Sequence, residues 1–136
     1  MFLLDTNVCI QLWQRGNDRV RRVFLAHHPS EIVLCSVVKA ELFYGARRSQ
    51  RVETNLRLLE AFMAPIKSLP FDDRCAAEYG VIRAQLSSLS TPIGPNDLMI
   101  GAIARAHDAT LVTNNTREFG RIVGLRITDW ERSTAK

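Results

Sequence analysis

Three acids in this chain stand where a carboxylate is costly or conspicuous. Asp5 directly follows the apolar run "FLL". An Asp in that place often caps the next helix, but "DTN" offers three capable residues, more than a cap requires. A carboxylate at the end of a buried strand also needs a cation or hydrogen bonds to offset its desolvation. Glu41 interrupts an apolar segment made of Val37, Val38, Ala40, Leu42 and Phe43. Its neighbours on one helix face are Val37, Val38, Tyr44 and Gly45, so it either finds a partner or is solvated at the rim. Asp97 comes two residues after Pro95 in "GPND". Pro suits the first helical position, which puts Asp97 third, where the helix dipole favours an acid by roughly 0.3–1 kcal/mol. One turn on, Gly101 occupies a mid-helix position at a cost of about 1 kcal/mol against Ala. Something beside the Asp97 face is expected to need that space.

Carboxylates brought together repel each other and are stable only with a cation between them. Oxygen ligands without His or Cys suit Mg²⁺ or Mn²⁺. Such a site polarises a phosphate and activates water for phosphodiester hydrolysis. Whether the acids meet depends on the elements that carry them.

Those elements read as alternating strands and helices. "FLL", "EIVLCS", "ATLVTNN" and "LRITDW" read as strands, with "IKSLPF" a short strand or extended link. Helices are expected over "VCIQLW", "DRVRRVFLAHH", "VVKAELFYGARRS", "RVETNLRLLEAFM", "DDRCAAEYGVIRAQLSSL" and the stretch after Pro95. Ser36 is the expected cap of the third helix, and Asp72 or Asp73 that of the fifth. "TREFGR" reads as a loop or helical turn. The alternation predicts an α/β fold, a parallel sheet flanked by helices. In such a sheet, sites form beyond the carboxyl ends of the strands. Asp5 lies there, as do Thr113, Asn114 and Asn115 after "TLV". Ser36 follows "IVLC", Glu41 lies in the helix that Ser36 starts, and Asp97 lies in the first turn of a helix entering the same sheet.

Residues 1–136 read as one domain, long enough to bury a core, with a polar tail from Glu131 that is expected to fray. Apolar residues make up 46% and charged residues 24%, a globular balance. No apolar run approaches a membrane span of roughly 20 residues. The start lacks a basic region and carries Asp5 early, so a cytoplasmic protein is expected. The three cysteines are widely spaced with no CxxC, and read as small buried hydrophobes rather than a disulfide or zinc set. The net charge of +4 is mild, but the arginines cluster. Arg15, Arg19, Arg21 and Arg22 form one group, and Arg47, Arg48 and Arg51 another. They are either solvated helix faces or contacts to a phosphate backbone.

The motifs "LLDTN", "SVVKAELFYGA", "PIGPNDLMIGAIARAH" and "LVTNNTREF" resemble the PIN-domain ribonucleases, and among these the VapC toxins of bacterial toxin–antitoxin pairs. The resemblance runs from Phe2 to Trp130, with four motifs in matching order and separation. It implies a Rossmann-like PIN fold and Mg²⁺-dependent endoribonuclease activity on RNA, structured RNA such as transfer RNA included. It implies metal binding by Asp5 and Asp97, with Glu41 as a third acid that helps hold metal or orients water. It further implies a homodimer and a VapB-type antitoxin that covers the site. Many PIN domains carry an acid at the place of Asn115. Asn115 can accept hydrogen bonds or ligate through its carbonyl but brings no charge, and Glu118 is the candidate for the missing carboxylate. Thr113 and Asn115 are then supporting residues, and Arg47 and Arg48 candidate RNA contacts. A dehalogenase-type phosphatase would need an acid where Asn7 stands, and a receiver domain a Lys in "LVTNNTREF". The rival within the fold is a PIN-like module that binds RNA or protein without cutting.

Overall fold

A computed structural model describes residues 1–14 and 16–132. Strand β1 (Phe2–Leu4) is apolar because it is the middle strand of the sheet. β2 (Ile32–Cys35) lies on one side of it and β4 (Thr110–Val112) on the other. β3 (Lys67–Leu69) and β5 (Ile127–Thr128) form the edges, giving the order β3-β2-β1-β4-β5 with every pairing parallel. Phe2 stands level with Ile32 and with Thr110, and Leu4 with Val112. Every residue of β2 is buried, as a strand covered on both faces requires.

The chain leaves β1 toward β2 and β3, then returns to β4 on the other side of β1. Strand order therefore reverses beside β1, and the crevice at the carboxyl ends of β1 and β4 is the place where such sheets bind ligands.

Among the described residues, seven α-helices flank the sheet. Helices α1 (Thr6–Trp13) and α2 (Asp18–Ala26) follow β1, and α3 (Ser36–Arg47) and α4 (Val52–Met63) follow β2. Helix α5 (Asp73–Ser88) pairs with α6 (Pro95–Ala106), and α7 (Thr116–Phe119) is a single turn after β4. Asn17 and Asp72 cap α2 and α5 by accepting from the Val20 and Cys75 amides. Helix α6 buries Leu98, Ile100, Gly101, Ala102, Ile103 and Ala104, so it is covered almost all round. Its small residues let it fit closely against α5 and β4.

Ser36 does not cap α3. β2 runs on through Cys35, which occupies the cap position with no side-chain bond, and Ser36 is already the first helical residue and exposed. Cys9, Cys35 and Cys75 are free and buried, which for Cys9 and Cys35 fits the expected role of small core residues. No helix among the described residues is long and apolar enough to cross a membrane. Glu131 is tied back by Gln11 Nε2 at 2.7 Å and Asn114 Nδ2 at 2.8 Å. Arg15 and residues 133–136 of the expected tail lie outside the described residues.

Candidate active site

Asp5 is only 6% exposed, because it continues β1 into the sheet end and its amide still donates to the Val112 carbonyl at 2.9 Å. Its carboxylate is held from both sides. Thr6 N donates to Oδ1 at 2.8 Å, so Asp5 does cap α1, and Thr113 Oγ1 donates to Oδ2 at 2.7 Å. Thr113 is fully buried, and its hydroxyl also accepts from the Asn115 amide at 3.0 Å. Burial pushes the Asp5 carboxyl above its ordinary range and the Glu41 charge adds to this, while the two hydrogen bonds pull it back.

Glu41 has the partner its apolar setting demanded. Thr6 Oγ1 donates to Oε1, and Asn96 Nδ2 donates to Oε2 at 3.1 Å. Neither donor was singled out as a site residue from the sequence. The available signals were the surplus of polar groups in "DTN" and the Asn beside Asp97 in "GPND".

Asp97 occupies the third position of α6, after Pro95 at the first. It faces Asp5, Thr6, Asn7, Glu41 and Asn115 across an open cavity of about 180 Å³. Asn115 Nδ2 donates to its Oδ2 at 3.4 Å. Burial pushes the Asp97 carboxyl up to about 6, helped by the charges of Asp5, Glu118 and Glu41 and by a carboxyl hydrogen bond with Glu118. Glu118 itself, on α7, does not line the cavity but hydrogen-bonds with the Asp97 carboxyl.

The packing shows what needs the space beside Gly101. A Cβ there would lie 2.6 Å from Ile122 Cδ1, with Phe119 and Leu125 also near. The space serves apolar packing against the segment after α7 and does not open the flank of the acids. Ile122 is 3% exposed and has little room to yield. Gly101→Ala is expected to lower stability by about 1 kcal/mol, the overpacking cost exceeding the gain in helix propensity. Ile122→Val, which deletes the clashing methyl, should restore thermal stability in the Gly101→Ala background while lowering it in the parent. Equal losses in both backgrounds would place the strain elsewhere.

The cavity lining holds three carboxylates and no cationic side chain, and the ion pairs among the described residues use none of Asp5, Glu41, Asp97 and Glu118. Two of those acids have raised proton affinity. Such a donor set is short of positive charge and fits a hard divalent cation. Glu41 is also shared with a second groove, lined by Ile10, Trp13, Gly45, Ser49 and Asn55, that runs along α3. Arg47 and Arg48 are exposed at the far end of that helix, with Arg48 over the Tyr44 ring at 5.2 Å.

Residues 2–125 match the PIN domain family. The chain is 43% identical over 129 residues to the tRNA(fMet)-specific endonuclease VapC of Shigella flexneri, covering 95% of this chain and 97% of that protein. It is 35% identical to Ribonuclease VapC2 of Rickettsia felis, covering 97% of this chain and 99% of that one. Among solved structures, DNA-bound VapBC from Salmonella typhimurium is similar with a TM-score of 0.89 at 40% identity, covering 95% of this chain and 97% of that chain. VapBC2 from Rickettsia felis, bound to a DNA fragment from its promoter, gives 0.87 at 34% identity, with coverage of 95% and 98%.

Proposed function

Since the chain belongs to the PIN-domain family, on the branch of the VapC ribonucleases, we propose that its acidic cleft cuts RNA as the toxin of a toxin–antitoxin pair. The observation that carries this reading is the meeting of Asp5, Glu41 and Asp97 around one cavity without a neutralising side chain. Asp5 and Asp97 would hold Mg²⁺, or Mn²⁺ in its place. When bound, the ion polarises the scissile phosphate and lowers the pKa of water at the site. Glu41, fixed at both oxygens by Thr6 and Asn96, orients the attacking water and accepts its proton. Thr113 and Asn115 hold Asp5 and Asp97 in place. Glu118 supplies negative charge beside Asp97 where the fourth position of the cleft has only Asn115.

The substrate is RNA, with structured RNA such as tRNA the preferred class, as the naming of the Shigella relative suggests. Arg47 and Arg48 hold its backbone where the groove along α3 leaves Glu41. The protein acts as one domain in the cytoplasm, as a homodimer, and is neutralised by a VapB-type antitoxin, the partner present in similar solved complexes. Purified protein should cleave RNA in Mg²⁺ and stop in excess chelator. Expressed alone in a bacterial host it should arrest growth, and Asp5→Ala should relieve the arrest. Folded protein that binds RNA without Mg²⁺-dependent cleavage would make it a binding module instead.

The basic contact has its own check. Arg47→Glu combined with Arg48→Glu is expected to weaken RNA binding and to reduce the slope of log affinity against log salt by about 1–2. An unchanged slope would put the RNA path on another face.

A further inference from the structure

A second set of metal-ligating side chains stands at the opposite end of α6. An Asp72 carboxylate oxygen, the Cys75 sulfur and an imidazole nitrogen of His107 lie within 4.8 Å of one another. Asp72 caps α5, Cys75 sits in its first turn, and His107 is the residue that ends α6. Ten residues of helix separate His107 from Asp97, about 15 Å, so this set is distinct from the acidic cleft. Capping explains only part of it. Asp72 Oδ1 accepts from the Cys75 amide at 3.1 Å, and no ion pair among the described residues uses Asp72. Cys75 Sγ is buried, hydrogen-bonds with the Asp72 carboxylate beside it, and makes a long 3.7 Å contact to the Pro70 carbonyl. His107 Nε2 is shielded from water and has no hydrogen-bond partner, a costly arrangement for a ring nitrogen.

One thiolate, one imidazole and one carboxylate make a zinc donor set, with a fourth tetrahedral position left for water. The sulfur disfavours Mg²⁺. Asp72 is exposed and gives the ion a way in. We propose that Asp72, Cys75 and His107 bind one Zn²⁺ that pins the start of α5 to the end of α6. The two helices are already joined there by Arg74, which donates to the Ala106 carbonyl, and by Arg105 Nε on Glu78 Oε1 at 2.6 Å. The ion would convert this polar seam into a crosslink and steady the helix whose other end carries Asp97. Nothing in this inference depends on the nuclease reading.

Metal-stripped full-length protein titrated with Zn²⁺ in excess Mg²⁺, added to compete for carboxylate-only sites, is expected to take up one tightly bound Zn²⁺ per chain. Affinity should fall at least about 100-fold in Cys75→Ser and in His107→Gln. Asp72→Asn keeps the helix cap and should weaken binding without unfolding the chain. Zn²⁺ should raise the thermal midpoint of the parent and leave that of His107→Gln unmoved. Co²⁺ should give a thiolate charge-transfer absorption that Cys75→Ser abolishes. Absence of tight Zn²⁺ uptake by the parent, or uptake unchanged in folded His107→Gln and Asp72→Asn, would overturn the proposal.

Discussion

Asp97→Asn is expected to stop RNA cleavage and, in the absence of metal, to make the protein more stable at pH 8. The first effect follows from removing one of the two proposed metal-holding acids. Several kcal/mol of transition-state charge stabilisation correspond to a loss of about 10³-fold in rate. The second follows from the Asp97 carboxyl being pushed up to about 6 by burial and by Asp5, Glu118 and Glu41. Between about pH 4 and 6 the folded protein keeps a proton that the unfolded chain has released. Stability of the metal-free protein therefore falls as pH rises through that window and stays lower above it. A shift of about two units is worth roughly 3 kcal/mol in full, and partial exposure cuts this to about 1.5. Losing the favourable helix-dipole contact returns about 0.5, leaving a net gain near 1 kcal/mol, or about 3 °C in thermal midpoint. In chelator the two proteins should melt together near pH 4 and separate by pH 8. Mg²⁺ should raise the parent at pH 8 and leave the variant nearly unchanged. A variant that melts below the parent at pH 8 in chelator would show that the acids do not strain the empty cleft.

Thr113→Val is expected to cost about 2–3 kcal/mol, a drop of roughly 6–9 °C. The valine matches the shape of the threonine but deletes the hydroxyl that donates to Asp5 Oδ2 and accepts from the Asn115 amide. Asp5 loses one of the two bonds that counter its burial, so its proton affinity rises further. Cleavage should fall about 10–100-fold at neutral pH, as for loss of a residue that orients a metal ligand. Raising pH or Mg²⁺ should recover part of it, since both favour the ionised Asp5. Thr113→Ser, which keeps the hydroxyl, should lie close to the parent in both measurements. Equal losses in the valine and serine variants would assign Thr113 to packing alone.

The acids were legible in the sequence because each sits at a seam. Asp5 follows a strand, Asp97 follows a helix-starting Pro, and Glu41 interrupts an apolar face. Strand and helix alternation was equally legible, since buried parallel strands need continuous apolar runs and their crossovers need amphipathic helices. What holds Glu41 was not. Thr6 and Asn96 reach Glu41 across 35 and 55 residues, and such a bond depends on how three elements pack. Gly101 shows the same limit from the other side. Helical spacing correctly put it on the Asp97 face of α6, but only the packed structure shows Ile122 filling the gap. Ser36 had the right chemistry for a cap, one residue too late, because β2 ends at Cys35.

Glu41 is held by the residue just after Asp5 and the residue just before Asp97. Two short dipeptides, Asp5-Thr6 and Asn96-Asp97, thus each contribute one acid to the cleft and one donor to the third acid. For a descending lineage, this arrangement is easy to lose and hard to adjust. A single codon change in either dipeptide is expected to disarm the cleft. A gradual drift in the spacing of the acids would need matched changes on three separate segments. Inheritance should therefore leave these pairs either intact or broken, with few intermediates between.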